Sequence, residues 1–371
     1  MSDLRLLAGF VDLSCAFGEP GAEQAETIHS GLLAAARGGF AAVVLEPFTD
    51  PPIDTDAQVC LALQRADSAD CQLLPLASAT RDKGALTEMD LLAEAGAVGV
   101  HLGDLLPDAG LLRSVLEYAA QRLLPVFVHP AESSLARGGV VHEGGVSEML
   151  GLKGCPSVVE EVGLGILLPL VRRTGARVHL CRLSTAEGVE MVRAARAQGL
   201  PVTADVGFRH LVATEDAVAG FDANWRVWPP LRTERDRQAL WEGLRDGTID
   251  AIVSHHHPVP DELKRAEFDR SPAGAIGLET LFPALWTARL EGRVPGFGLD
   301  DVHRWLCEGP RRVLGLPPAP SAEIDGSWWD FGDSWTPSDA TLSSLSRNCP
   351  EIGRELTPRF VRLRRGGCDI V

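Results

Sequence analysis

The stretch RVHLCRLSTAEGVEMVRAARAQGLPVTADV, residues 177–206, reads as one strand–helix–strand crossover. Arg177–Leu183 and Pro201–Val206 are short, mainly apolar runs, and Ala186–Gln198 between them carries a helical period. Strands apolar on both faces belong to a parallel sheet covered by helices. The same alternation extends outward in both directions. Leu7–Leu13, Ala41–Leu45, Cys71–Ala77, Val98–Leu102, Pro125–His129 and Asp250–Ser254 complete a set of eight strands. Helices are predicted over Glu26–Arg37, Asp56–Ala66, Leu86–Ala95, Ala109–Gln121, Ser157–Arg173 and Thr233–Asp246, with Gly277–Leu290 and Leu299–Leu314 after the last strand. Eight strand–helix units predict an α/β fold, a closed (β/α)8 TIM barrel over residues 1–316. A doubly wound open sheet is the alternative, but no G-x-G-x-x-G follows the first strand.

From about Pro317 the composition shifts to Pro, Ser, Asp and Trp, and the tail reads as short strands with a Gly-Gly turn. Residues 317–371 are too few for a core of their own, so a small β-rich appendage is expected. A net charge of −16 makes nucleic acid and an anionic membrane poor partners, and fits a basic partner surface or simple solubility better; a homo-oligomer is a separate expectation. The eight cysteines are scattered without a C-x-x-C pair, as free thiols in a reducing compartment would be. Neither a signal peptide nor an apolar run of membrane-spanning length stands out, and a soluble cytoplasmic protein is expected.

Active sites of such barrels form at the C-terminal ends of the strands. Glu46, His101, His129, Arg182, His210 and the run His255-His256-His257 fall there. Imidazoles could hold a divalent metal, although successive strand residues point to opposite faces, which separates His255 from His256. Ser184 reads as a helix N-cap rather than a nucleophile, Cys15 and Cys181 as core thiols, and Glu160-Glu161 as a solvated helix face. No G-x-S-x-G elbow occurs.

Several stretches, in order, resemble the dihydroorotase family of the amidohydrolase superfamily. They include Gly9-Phe-Val-Asp-Leu13, Glu19-Pro-Gly21, Pro47-Phe-Thr-Asp-Pro-Pro52, Leu124-Pro-Val-Phe-Val-His129, Leu183-Ser-Thr185, Pro229-Pro-Leu-Arg232, Gly277-Leu-Glu-Thr280 and Ser346-Arg-Asn348. The resemblance runs from Leu7 to about Leu356. It implies hydrolysis or closure of a cyclic amide by metal-activated water and a catalytic Asp. It also implies a β-sandwich of which residues 317–371 would form half.

At the positions that carry this chemistry the chain departs from the family. The first-strand H-x-H is Ser14-Cys15-Ala16, and the substrate Arg two residues on is Gly18. Phe48 stands for an Asn, and His101-Leu102-Gly103 follows the fourth strand where a carboxylate is expected. Arg182 replaces the sixth-strand His, Trp228 an Asn, His255 the catalytic Asp and Val259 a substrate-contacting His. Among the metal-site positions His129 alone is retained. The expectation is a catalytically inactive homologue with no cofactor, a pseudoenzyme serving as a structural subunit in pyrimidine biosynthesis. The partner implied is aspartate carbamoyltransferase, with which some degenerate family members assemble. Two alternatives stand beside it. One is a repurposed metal-dependent amidohydrolase using His101, His129, His255 and His257. The other is a small-molecule-binding barrel with a pocket of Trp228, Phe48 and Arg182.

Overall fold

The computed structural model describes residues 3–67, 69–81 and 84–370. A first strand, β1 (Leu4–Ala8), precedes the barrel. The barrel strands are β2 (Phe10–Cys15), β3 (Phe40–Leu45), β4 (Gln72–Ser78), β5 (Gly99–His101), β6 (Val126–Val128), β7 (Val178–Leu180), β8 (Val202–Gly207) and β9 (Ala251–Val253). They pair in parallel in chain order. The ring closes through a parallel bridge between Cys15 and His256 and through Ser254 N–H donating to Asp12 Oδ1 at 2.8 Å. The predicted (β/α)8 barrel is the observed fold.

The strands are apolar on both faces because each face has its own core. Val11, Leu13, Val44, Leu76, Phe127 and Val253 fill the barrel interior. The outer faces pack on the helices. In the helix Ala186–Ala197, the buried Val189, Val192 and Ala195 recur at helical spacing and make one apolar stripe. The N-cap of that helix is Thr185, whose side chain accepts from Gly188 N–H, and not Ser184.

The terminal sheet draws on both ends of the chain. β1 pairs antiparallel with β10 (Gly326–Asp330), which pairs with β11 (Arg359–Arg365), which in turn pairs with β12 (Cys368–Asp369). Leu4–Ala8 thus belongs to the terminal sheet although it lies within residues 1–316, and the predicted first strand Leu7–Leu13 spans the end of β1 and most of β2. Trp329 is fully buried and packs against Phe10, Phe282 and Phe360, fastening the sheet to the barrel.

A second part of the C-terminal region reaches the opposite side of the barrel as a strap, Ser343–Glu351. Asn348 donates to His257 O at 2.9 Å and accepts from Val259 N–H at 3.2 Å. Glu351 pairs with the buried Arg209 at 2.7 Å. The strap thus fixes the loop that leaves the last barrel strand. Among the described residues, no helix is long and apolar enough to cross a membrane.

Candidate active site

Asp205, in β8, organises the end of β7. Its Oδ2 lies 2.8 Å from His179 Nε2, and its Oδ1 accepts the backbone N–H of Arg182 at 2.7 Å. Arg182 takes a left-handed backbone, φ 57°, a conformation that costs a non-glycine residue about 1–3 kcal/mol unless its surroundings impose it. Asp205 imposes it, and the turn carries the guanidinium to the barrel mouth. Beneath this turn, Glu160 accepts four hydrogen bonds, from the backbone N–H and hydroxyl of both Ser184 and Thr185, at 2.6–3.1 Å. Glu160 is therefore a buried brace and not part of a solvated face. Burial raises its carboxyl above the usual range, against the pull of those donors.

The Arg182 side chain is 2% exposed. Its Nη2 donates to Asp104 Oδ1 at 2.6 Å, its Nη1 to His255 Nε2 at 3.2 Å, and Nη1 lies 3.8 Å from Glu46 Oε2. Glu46 also accepts from Ser14 Oγ at 2.8 Å. His255 too has a left-handed backbone, φ 48°. Burial and then the Arg182 charge hold the His255 imidazole well below its ordinary value, so it is neutral and able to accept. Burial raises the carboxyl of Glu46, with Arg182 opposing. For Asp104 burial acts upward too, but Arg182 and the neighbouring histidines outweigh it and the carboxyl is lowered.

The remaining histidines are committed elsewhere. His101 Nδ1 accepts from Gly103 N–H at 2.8 Å, so its Nε2 carries the proton and points toward Cys181 Sγ, 3.9 Å away. His129 Nδ1 donates to Cys181 O at 2.9 Å, leaving its Nε2 with a lone pair. Burial, then Arg182, depresses both imidazoles, His101 to about 3 and His129 to about 4. Burial likewise lowers His257 to about 4. Phe48 stands edge-on to His101 at 4.9 Å, and Trp228 edge-on to His129 at 6.0 Å. Trp228 Nε1 also donates to Asp104 O at 3.3 Å. Both rings are half-buried, so they form the rim and not the floor.

The other singled-out positions are structural here. Ala16 N–H donates to His256 O at 2.8 Å, and Leu102 N–H to Phe127 O at 3.0 Å. At Gly18 an added Cβ would fall 2.0 Å from Ala22 O, so no side chain fits without moving backbone. Val259 is buried beneath the strap. Sequence reasoning missed Asp104. Its place one residue beyond the His101-Leu102-Gly103 run was the available signal. Asp205 was missed because it lay inside an apolar strand.

The metal implied by the family resemblance does not fit these residues. His101 and His255 have their inward nitrogens occupied, by a proton and by Arg182 respectively, and the two nearest carboxylates already face a guanidinium. A dication about 4 Å from that guanidinium would be repelled by roughly 8 kcal/mol at an effective dielectric of about 20. Nor do His101, His129, His255 and His257 converge as one ligand set. Among the described residues, the one group whose ligand atoms gather within 4.8 Å is His179, Cys181 and Asp205, all buried. There both His179 nitrogens are engaged, by Asp205 and by Thr203 Oγ1 at 2.9 Å.

The comparisons agree with the fold and correct the functional expectation. A family model described as dihydro-orotase-like matches residues 4–188. The dihydroorotase of Pelotomaculum thermopropionicum is 40% identical over 358 residues, covering 95% of this chain and 83% of its own. That of Thermus aquaticus is 43% identical over 323 residues, 84% of this chain and 75% of its own. Among solved structures, an L-hydantoinase (dihydropyrimidinase) from Arthrobacter aurescens superposes with a TM-score of 0.84 at 21% identity, covering 99% of this chain and 86% of its own. The Saccharomyces cerevisiae dihydroorotase bound to 5-fluoroorotic acid does so at 0.75 and 16%, covering 98% and 99%. These two carry the fold alone. The expectation of a catalytically inactive pseudoenzyme acting as a structural subunit is overturned by the curated relatives, which bear an enzyme's name along most of the chain. The physical reason is that the replaced positions are not independent losses: Glu46, Asp104 and neutral His255 gather around the Arg182 guanidinium as one connected polar group at the mouth. The chain belongs to the dihydroorotase-like family of the amidohydrolase superfamily.

Proposed function

We propose that this chain is a cyclic amidohydrolase of the dihydroorotase type, working at the barrel mouth on a small ring that bears an acidic group. The observation that carries this reading is the buried Arg182, with its charge held at the centre of the mouth by Asp104, Glu46 and His255. A guanidinium in a dry site binds a carboxylate or polarises an amide oxygen. A substrate carboxylate would take the place of Asp104, whose side chain is 44% exposed and is the outermost partner of Arg182. Phe48 and Trp228 would flank the ring. His129, neutral with a free Nε2, is the group available to take a proton from water. In the reaction, water oxygen bonds to the ring carbonyl carbon, the carbon–nitrogen bond opens, and the ring nitrogen gains the proton.

The test is turnover of dihydroorotate, hydantoin and dihydrouracil by the purified chain, followed by chromatography of ring-opened product. Ring opening of dihydroorotate in preference to the two uncharged rings is expected; no turnover of any of the three overturns the reading. Association with aspartate carbamoyltransferase, which rests on the family resemblance, is proposed separately, and co-elution of the two proteins from native extract tests it.

A further inference from the structure

We infer that the mouth of this barrel is a metal-independent site, in which the Arg182 guanidinium permanently supplies the positive charge. The inference rests on the mouth being the reaction site, but its test reads metal content and does not depend on turnover.

Three observations converge on it. First, Arg182 is buried and its two terminal nitrogens face groups able to ligate a metal: the Asp104 carboxylate at 2.6 Å, the His255 Nε2 at 3.2 Å and the Glu46 carboxylate at 3.8 Å. Its Nε has no hydrogen-bond partner among the described residues. A guanidinium does not lose its proton in proteins, so this charge is present at every working pH. Second, Gly103 N–H occupies His101 Nδ1 and leaves the proton on its Nε2, so of these two imidazoles only His129 presents a lone pair, on Nε2, and one imidazole is too few for a metal site. Third, in the buried group His179, Cys181 and Asp205, one carboxylate oxygen is already engaged by the Arg182 turn. Asp205 Oδ1 accepts the Arg182 backbone N–H at 2.7 Å, its Oδ2 pairs with His179 Nε2 at 2.8 Å, and Thr203 Oγ1 engages the other His179 nitrogen at 2.9 Å. A metal there would have to displace the His179–Asp205 hydrogen bond that orients the carboxylate toward the Arg182 turn. Asp205 and His179 are positioning residues in this arrangement, acting on substrate only through Arg182.

The relation to the reaction follows from charge alone. Metals in hydrolytic sites polarise a carbonyl and stabilise the oxyanion that forms, and a pre-oriented cation in a low-dielectric site can serve the second purpose. Only the water then needs a separate base.

The test uses the full chain purified without a metal-affinity tag, incubated with zinc, dialysed and analysed for bound metal. Thermal melting is recorded with and without chelator. Expected are well under one zinc per chain and one melting temperature under both conditions. The same measurement on His129→Ala and Cys181→Ser assigns any metal found. Stoichiometric zinc that is lost in His129→Ala overturns the inference. Stoichiometric zinc that persists in His129→Ala also overturns it, and its loss in Cys181→Ser would place that metal among His179, Cys181 and Asp205, where it would disturb the hydrogen bonds that set Arg182. Turnover that appears only on adding zinc also overturns the inference while upholding the functional reading. Absence of turnover with and without zinc overturns that reading instead.

Discussion

The guanidinium of Arg182 and the carboxylate of Asp104 meet at 2.6 Å, one group almost fully buried and the other nearly half exposed. The asymmetry decides their roles. Arg182 is held from below by Asp205 and cannot leave, whereas Asp104 lies on a loop at the rim and can. Asp104 therefore occupies the place an acidic ligand would take.

Asp104→Ala is expected to tighten binding of orotate, a planar carboxylate probe. A charge-assisted hydrogen bond is worth about 1.5–3 kcal/mol, so the gain should be roughly tenfold or more. Calorimetric titration measures it. Unchanged or weaker binding would mean that ligand and Asp104 do not compete for Arg182.

Arg182→Met is expected to destabilise the fold. It leaves Glu46 buried beside an apolar chain, and removing one partner of a buried pair costs about 3–5 kcal/mol. Adding Glu46→Gln to Arg182→Met should restore part of the loss, because the uncompensated charge is gone. Denaturant unfolding of the single and double variants checks both. A double variant as unstable as the single would place the cost elsewhere.

The pH dependence of stability is expected to carry a signature of His129. Its folded value, about 4, lies below the ordinary 6.5. A depressed group stabilises the fold above its unfolded value, and that contribution is lost as pH falls from 6.5 toward about 4. Each such histidine contributes a slope of about 1.4 kcal/mol per pH unit within the window. His129→Asn should flatten the stability curve there by about one proton, read from unfolding at a series of pH values. An unchanged slope would show that His129 is as accessible to protons folded as unfolded.

Glu160→Leu is expected to cost stability through the four donors it leaves behind on Ser184 and Thr185. Unsatisfied buried donors cost about 1–3 kcal/mol each before relaxation. Because Ser184 and Thr185 follow Arg182, the variant should also weaken orotate binding. Normal binding in a destabilised variant would confine Glu160 to a purely structural role.

Much of the fold was legible because barrel strands are apolar on two faces and helices on one. Arg177–Leu183, Ala186–Gln198 and Pro201–Val206 fall within a few residues of the observed elements. The terminal sheet was half legible. Leu4–Ala8 merges with β2 in one apolar run, and only the pairing to Gly326–Asp330 separates them. In the site, the strand-end residues Glu46, Arg182 and His255 were named from their positions. Their connection to Asp104 was not, because loop carboxylates have no periodicity and a 2.6 Å contact across 78 residues leaves no local trace. Glu160 misled for a related reason. It is polar on a helix, and only the packing of Ser184 and Thr185 shows that it faces inward.

The most direct measurement is the rate of dihydroorotate ring opening by chelator-treated protein, wild type against Arg182→Met, at equal folded concentration. The account expects measurable turnover in the wild type and a loss of roughly tenfold to a hundredfold in kcat/KM in the variant, the scale for removing a charge-assisted contact to the substrate carboxylate. Wild-type protein that stays silent, or an Arg182→Met variant that turns over as fast as the wild type, would contradict it.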